Sequence, residues 1–105
     1  MATSKSYFAF IADQLSAAQD VSFRPMMGEY VVYCGGKVVG GVYDDRLLVK
    51  PTAAARALMP AASSELPYEG AKPMLLVEQA DDRDFLIRLL RAVADDLPAA
   101  KPKKK

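Results

Sequence analysis

Apolar and polar residues alternate most regularly between Met26 and Lys50 (MMGEYVVYCGGKVVGGVYDDRLLVK). A period of two is the mark of β-strands. The two interruptions, Gly35-Gly36 and Asp44-Asp45, suit two-residue hairpin turns. The stretch therefore predicts three consecutive antiparallel strands, with Cys34 opposite Lys37 and Tyr43 opposite Arg46. One face then collects Val31, Tyr33, Val38, Val42, Leu47 and Val49, with Gly40 among them. The other collects Tyr30, Val32, Val39 and Leu48, together with Lys37, Arg46 and Lys50. A slip of one residue would exchange the faces. The first face is expected to pack against helices. Gly40-Gly41, inside a strand, signals a bulge or the close approach of another backbone.

The pattern changes to a helical period on either side. Ser4 is placed to cap a first helix running to about Gln19, in which Tyr7, Phe8, Ile11, Leu15 and Ala18 form one buried stripe. Val21–Pro25 alternates again and predicts a short strand, and Pro25 puts it at an edge or a bend. Thr52–Met59 predicts a second helix with Ala54, Ala55 and Leu58 inward, stopped by Pro60. Residues 61–72 are polar and rich in turn formers. Pro73–Glu78 is a further apolar run and the fifth strand. Asp81, Asp82 and Asp84 mark a helix start, with Asp81 as the cap. Phe85, Leu86, Leu89, Leu90 and Val93 form the stripe of that last helix, and Pro98 ends it. The expected architecture is α+β, a five-stranded antiparallel sheet with helices on one face, in the order α-β-β-β-β-α-β-α.

Composition sharpens this picture in two places. A chain of 105 residues with 51% apolar content forms one domain, able to bury roughly 65% of its unfolded surface without disulfide staples. That domain is expected over residues 1–98, with 99–105 a disordered lysine-rich tail. Ten Lys/Arg face thirteen Asp/Glu in residues 1–100, a net of −3, while four lysines fall in the last five positions. An acidic body with a basic tail argues against direct nucleic-acid binding by the folded part. The tail offers weak, salt-dependent contact with anions at most. No run of about 20 apolar residues is present to span a membrane, and a single cysteine fits a reducing compartment. The expected location is the cytoplasm.

Candidate chemistry is sparse. With no His, Cys34 lacks the usual base of a nucleophilic pair and the usual companions in a zinc site. Asp44-Asp45 reads as a turn and Asp81, Asp82 and Asp84 as a helix start, rather than as a carboxylate pair or a metal site. The glycines form no phosphate-binding motif. No enzymatic activity, metal or cofactor is expected. The second sheet face, apolar and fringed by Lys37, Arg46 and Lys50, is the sort of patch that meets a partner or a second copy.

The segments FRPMMGEY (23–30), YCGGKV (33–38) and VYDDRLLVK (42–50) resemble the TfoX/Sxy N-terminal domain family, as do Leu66-Pro67-Tyr68-Glu69-Gly70 and the terminal helix. Met27 stands where that family has an aromatic residue, Glu29 where it has a second glycine, and Leu48 where a Tyr is frequent. The resemblance implies a two-layer fold with a curved antiparallel sheet, like secretion-chaperone-type folds. Full-length relatives regulate natural competence with a cyclic-AMP receptor-type transcription factor, and they carry a C-terminal helical domain that these residues do not include.

The leading expectation is a non-enzymatic protein-interaction module of regulatory type, using the polar-fringed sheet face or the Gly28–Tyr30 region, with Gly28, Tyr30, Lys37, Arg46, Leu48 and Tyr68 as its candidate contact residues. The alternative is a small-molecule-binding protein or unrecognised enzyme, with a pocket between the sheet and the Leu66–Lys72 loop.

Overall fold

The computed structural model describes residues 3–97. Ser4 caps α1 (Lys5–Gln14), its hydroxyl accepting from the Tyr7 amide. Four strands follow: β1 (Val21–Met26), β2 (Glu29–Cys34), β3 (Lys37–Tyr43) and β4 (Arg46–Val49). Then come α2 (Ala53–Leu58), β5 (Ser64–Glu65), β6 (Met74–Leu76) and α3 (Arg83–Asp96). The sheet is antiparallel in the order β1-β2-β3-β4-β6-β5. Ile11 of α1, Ala55 of α2 and Phe85, Leu86, Leu89, Leu90 and Val93 of α3 share one core with Val32, Val39, Val42, Leu47, Val49 and Leu75. The register places those sheet residues on one face. The helices therefore form one layer and the sheet the other, as expected.

Three hairpins set the register, each through a two-residue turn with positive φ at both positions. They are Met27-Gly28 (53° and 86°), Gly35-Gly36 (61° and 82°) and Asp44-Asp45 (52° and 59°). That backbone matches the right-handed twist of the flanking strands. Cys34 pairs with Lys37 and Tyr43 with Arg46, as the turns predicted. Pro25 lies in the edge strand β1, where no further neighbour requires its missing N–H.

The faces expected for β2 and the start of β3 were exchanged. Tyr33 pairs with Val38, but Val32 pairs with Gly40, so the register shifts between Val32 and Tyr33 and Val39 is the extra residue. A bulge sets two residues against one and breaks the alternation. Val32 and Val39 are consequently fully buried beneath the helices, whereas Val31, Tyr33 and Val38 lie half-buried on the helix-free face. Val42, Leu47 and Val49, beyond the bulge, occupy the core as predicted.

Gly40 makes this geometry possible. A Cβ there would stand 2.1 Å from the Leu48 carbonyl oxygen and 2.8 Å from the Val49 Cα. At Gly41 a Cβ would meet the Tyr43 ring at 2.4 Å. The double glycine is thus a packing device, with backbone against one residue and an aromatic ring against the other.

Other differences are local. The sheet has six strands rather than five, because the two-residue β5 forms within the stretch expected to be turns and pairs with β6. Helix α1 stops at Gln14 rather than Gln19; the Ser16 hydroxyl and amide both go to the Asp13 carbonyl, and such a side-chain bond competes with helical pairing. Leu15 and Ala18 stay buried regardless. Asp82, not Asp81, caps α3 by accepting from the Phe85 amide. The tail expected at 99–105 lies outside the described residues.

The two glycines are expected to differ under substitution. Gly40→Ala forces backbone apart and should cost about 3 kcal/mol or more, whereas Gly41→Ala displaces a ring that can swing and should cost less. Urea midpoints of the two variants against the parent chain measure the difference.

Candidate functional site

The six residues expected to serve the interaction fall into two groups in the fold. Gly28 is the second residue of the β1–β2 turn, and its carbonyl accepts from the Thr3 amide. Tyr30 faces the helices and stacks on Phe8, with ring centroids 3.6 Å apart and planes within 11°. Phe8 also meets Phe23 edge-on. Lys37 lies on the helix side too, where its ammonium donates to the Ala94 carbonyl at 2.9 Å and to that of Leu97 at 3.2 Å. A cation there satisfies the open end of α3 and complements its dipole. These three residues serve the fold.

Arg46, Leu48 and Tyr68 do converge. Arg46 and Leu48 pair with Tyr43 and Gly41 respectively, which puts all four residues on the helix-free face. Tyr68 belongs to the segment Leu66–Pro73, which leaves β5, crosses this face as a flap and returns to β6. Arg46 pins the flap at its root. Its Nη1 donates to Glu65 Oε1 at 2.8 Å, its Nη2 to the Leu66 carbonyl at 3.2 Å, and its Nε to the Tyr43 carbonyl at 3.2 Å. The Tyr43 and Tyr68 rings meet at 6.0 Å and 63°, edge to face. Leu48 has no exposure at all and offers a partner no accessible surface.

Between flap and sheet runs an open cleft of about 490 Å³. Tyr43, Lys50 and Met74 line its sheet side, and Pro67, Tyr68 and Lys72 its flap side. Burial raises the Tyr43 hydroxyl pKa above its ordinary value, with the neighbouring Tyr68 and Glu29 adding to the effect. The phenol therefore stays protonated near neutral pH and can donate a hydrogen bond. No lining residue is a carboxylate, thiol or imidazole. The cleft has the means to bind and orient, through aromatic faces, ammonium groups and a phenol.

The remaining candidates are structural. Asp45 accepts from the Ser4 amide at 2.7 Å, and the Asp44 amide donates to Glu29, so this turn anchors the start of α1. Arg91 holds Asp20 with two bonds of 3.0 Å and lowers its carboxyl pKa. Cys34 is buried beside that pair and its thiol is directed at Asp20 Oδ2, 3.6 Å away. Burial first, and then the Asp20 charge, push the thiol up to about 11, the reverse of what a nucleophile requires. Among the described residues, no group of three or more His, Cys, Asp or Glu is arranged to hold a metal ion, and no helix is long and apolar enough to cross a membrane. The lysines at 101, 103, 104 and 105 fall outside the described residues.

The convergence of Arg46 and Tyr68 was only partly visible in sequence. Their side chains meet the same flap because Glu65 and Leu66 lie at its root, a contact across about 20 residues that no local pattern announces. The exposure of Met27 was not anticipated. The residue is 96% exposed at the tip of the first hairpin, and the Met-Gly pair following Pro25 was the available turn signal.

Two measurements follow. Arg46→Ala should release the flap at a cost of about 1–2 kcal/mol to the fold, and it should speed amide exchange of Ala71, which is bonded to the Tyr68 carbonyl, by about tenfold or more relative to the α3 core. Because the folded Cys34 pKa is raised, its contribution to stability is complete below the ordinary value of 9.0 and is lost as pH rises toward about 11. Chemical denaturation across that window should show a shallower decline for Cys34→Ala than for the parent chain.

The profile of the TfoX N-terminal domain matches residues 13–96. A spirochaete protein is 40% identical over 105 residues, an alignment that takes in 99% of this chain and 91% of the relative. It is the uncharacterized 12.7 kDa protein in the trpE 5′ region of Spirochaeta aurantia. No solved structure matches the chain. The profile match spans β1 through α3, and the chain belongs to the TfoX N-terminal domain family, which is associated with competence regulation in general.

Proposed function

We propose that this chain is a non-enzymatic interaction module of regulatory type, working in the cytoplasm, that engages a protein partner through the Leu66–Pro73 flap and the helix-free face beside it. The observation that carries this reading is the pinned flap itself. Leu66 and Tyr68 are 47% and 56% exposed, yet the segment bearing them is fastened by Arg46 at Glu65 and at the Leu66 carbonyl. An exposed apolar pair on a held backbone loses little entropy on docking, and Tyr is enriched at interface hot spots. Val31, Tyr33 and Val38, half-buried on the same face, extend the apolar surface. Family membership supports the regulatory character, and the inert Cys34 thiol and the lining of the cleft support a role without catalysis.

A photo-crosslinking amino acid at position 68, introduced in the native cell, should capture one defined protein species. The same group at Arg88, on the exposed side of α3, should not. Tyr68→Ala should weaken that association by about 30-fold. Identical capture from both positions, or none from position 68, would remove the proposal. Capture of a second copy of the chain would identify self-association as the interaction.

A further inference from the structure

We infer that the cleft beneath the flap is a binding site for a small aromatic carboxylate, its ring held against Tyr43 and Tyr68 and its anionic group met by Lys50 and Lys72. The volume of about 490 Å³ falls within the roughly 300–1,000 Å³ typical of small-molecule sites. Two tyrosines and three prolines dominate the lining, which favours a planar apolar body. The charge is of one sign. Lys50 follows the end of β4 and Lys72 belongs to the flap, so each of the two walls contributes a lysine to the lining. Among the described residues neither has an ion-pair partner, and the nearby Glu65 is already engaged by Arg46. An anion in the cleft supplies the counter-charge that neither lysine has among the described residues.

The same features set the ligand class. Two lysines act as point charges, without the guanidinium fork or the run of backbone amides that phosphate sites use. A single carboxylate on a large apolar body therefore fits better than a phosphate. Tyr43, protonated near neutral pH, adds a neutral donor to the same lining. A ligand of this kind closes the space between flap and sheet without any chemistry being done to it. The inference does not depend on which protein docks on the flap: partner capture can fail while ligand binding stands, and the reverse.

The test is a titration of the full chain, followed by amide NMR, with 3-phenylpropionate and with its uncharged analogue 3-phenylpropionamide. The carboxylate should give saturable shifts at Gly41–Tyr43 and Tyr68–Lys72, with a Kd of about 1 mM or tighter. The amide should bind about fivefold more weakly or worse. Lys50→Gln combined with Lys72→Gln, both surface changes, should bring the carboxylate down to the level of the amide and leave the amide itself unaffected. Equal binding of acid and amide, shifts centred elsewhere on the molecule, or no saturation would each overturn the assignment. Inorganic phosphate reproducing the same shifts would do so too, since the cleft would then read charge alone.

Discussion

The fit of Gly40 against the backbone of β4 is the constraint on which the rest of the structure depends. Because nothing projects from Gly40, the Leu48 carbonyl and the Val49 Cα come within 3 Å of where a Cβ would be, and β3 can carry an extra residue without losing its pairing to β4. The bulge turns Val39 inward in step with Val32, then returns the strand to register so that Val42 also faces the helices. A regular strand offers the core every second residue. This one supplies Val39 and Val42, three apart, and fills the space below α3 at both.

The same irregularity builds the other face. Once the register has shifted, Gly41 and Tyr43 point away from the helices, and the absence of a side chain at Gly41 lets the Tyr43 ring lie down over the strand. Tyr68 then meets that ring from the flap. Core and cleft are therefore two consequences of one pair of glycines, one contacting backbone and the other an aromatic ring. Arg46 adds the only charged anchor seen at the flap root among the described residues. It spends its guanidinium on three acceptors at once, two of them backbone carbonyls, a use for which a planar fork is better shaped than an ammonium.

Much of the fold was legible because it rests on local rules. The Ser4 cap, the glycine and aspartate turns and the apolar stripe of α3 are each decided by residues within one or two turns of chain, and each appears where the pattern placed it. The bulge was flagged by Gly40-Gly41, yet its consequence for the faces was not. Alternation assumes an unbroken ladder, and one inserted residue reverses every assignment on its far side. That reversal separates Tyr30 and Lys37 from Arg46 and Leu48, and so dissolves the expected patch. Lys37 shows a second limit. A lysine in an amphipathic strand reads as solvent-facing, whereas this one reaches the last carbonyls of α3, about 60 residues away in sequence. A flexible stem and three donors allow that contact, but no periodicity encodes it.

The groups that line the cleft are ones suited to recognition. Catalysis on a substrate needs a group able to give or take a proton, or to attack, at the working pH. The one thiol lies outside the cleft, buried and shifted away from ionisation, and the Glu65, Asp45 and Glu29 carboxylates are engaged by Arg46, the Ser4 amide and the Asp44 amide. What the cleft keeps available is rigid apolar area and positive charge. Its prolines have little backbone freedom to lose and its tyrosines few side-chain torsions, so the entropic cost of closing on a ligand or a partner is small. A cleft with that lining, cationic at its edge and without a carboxylate, thiol or imidazole, is suited to the recognition proposed above.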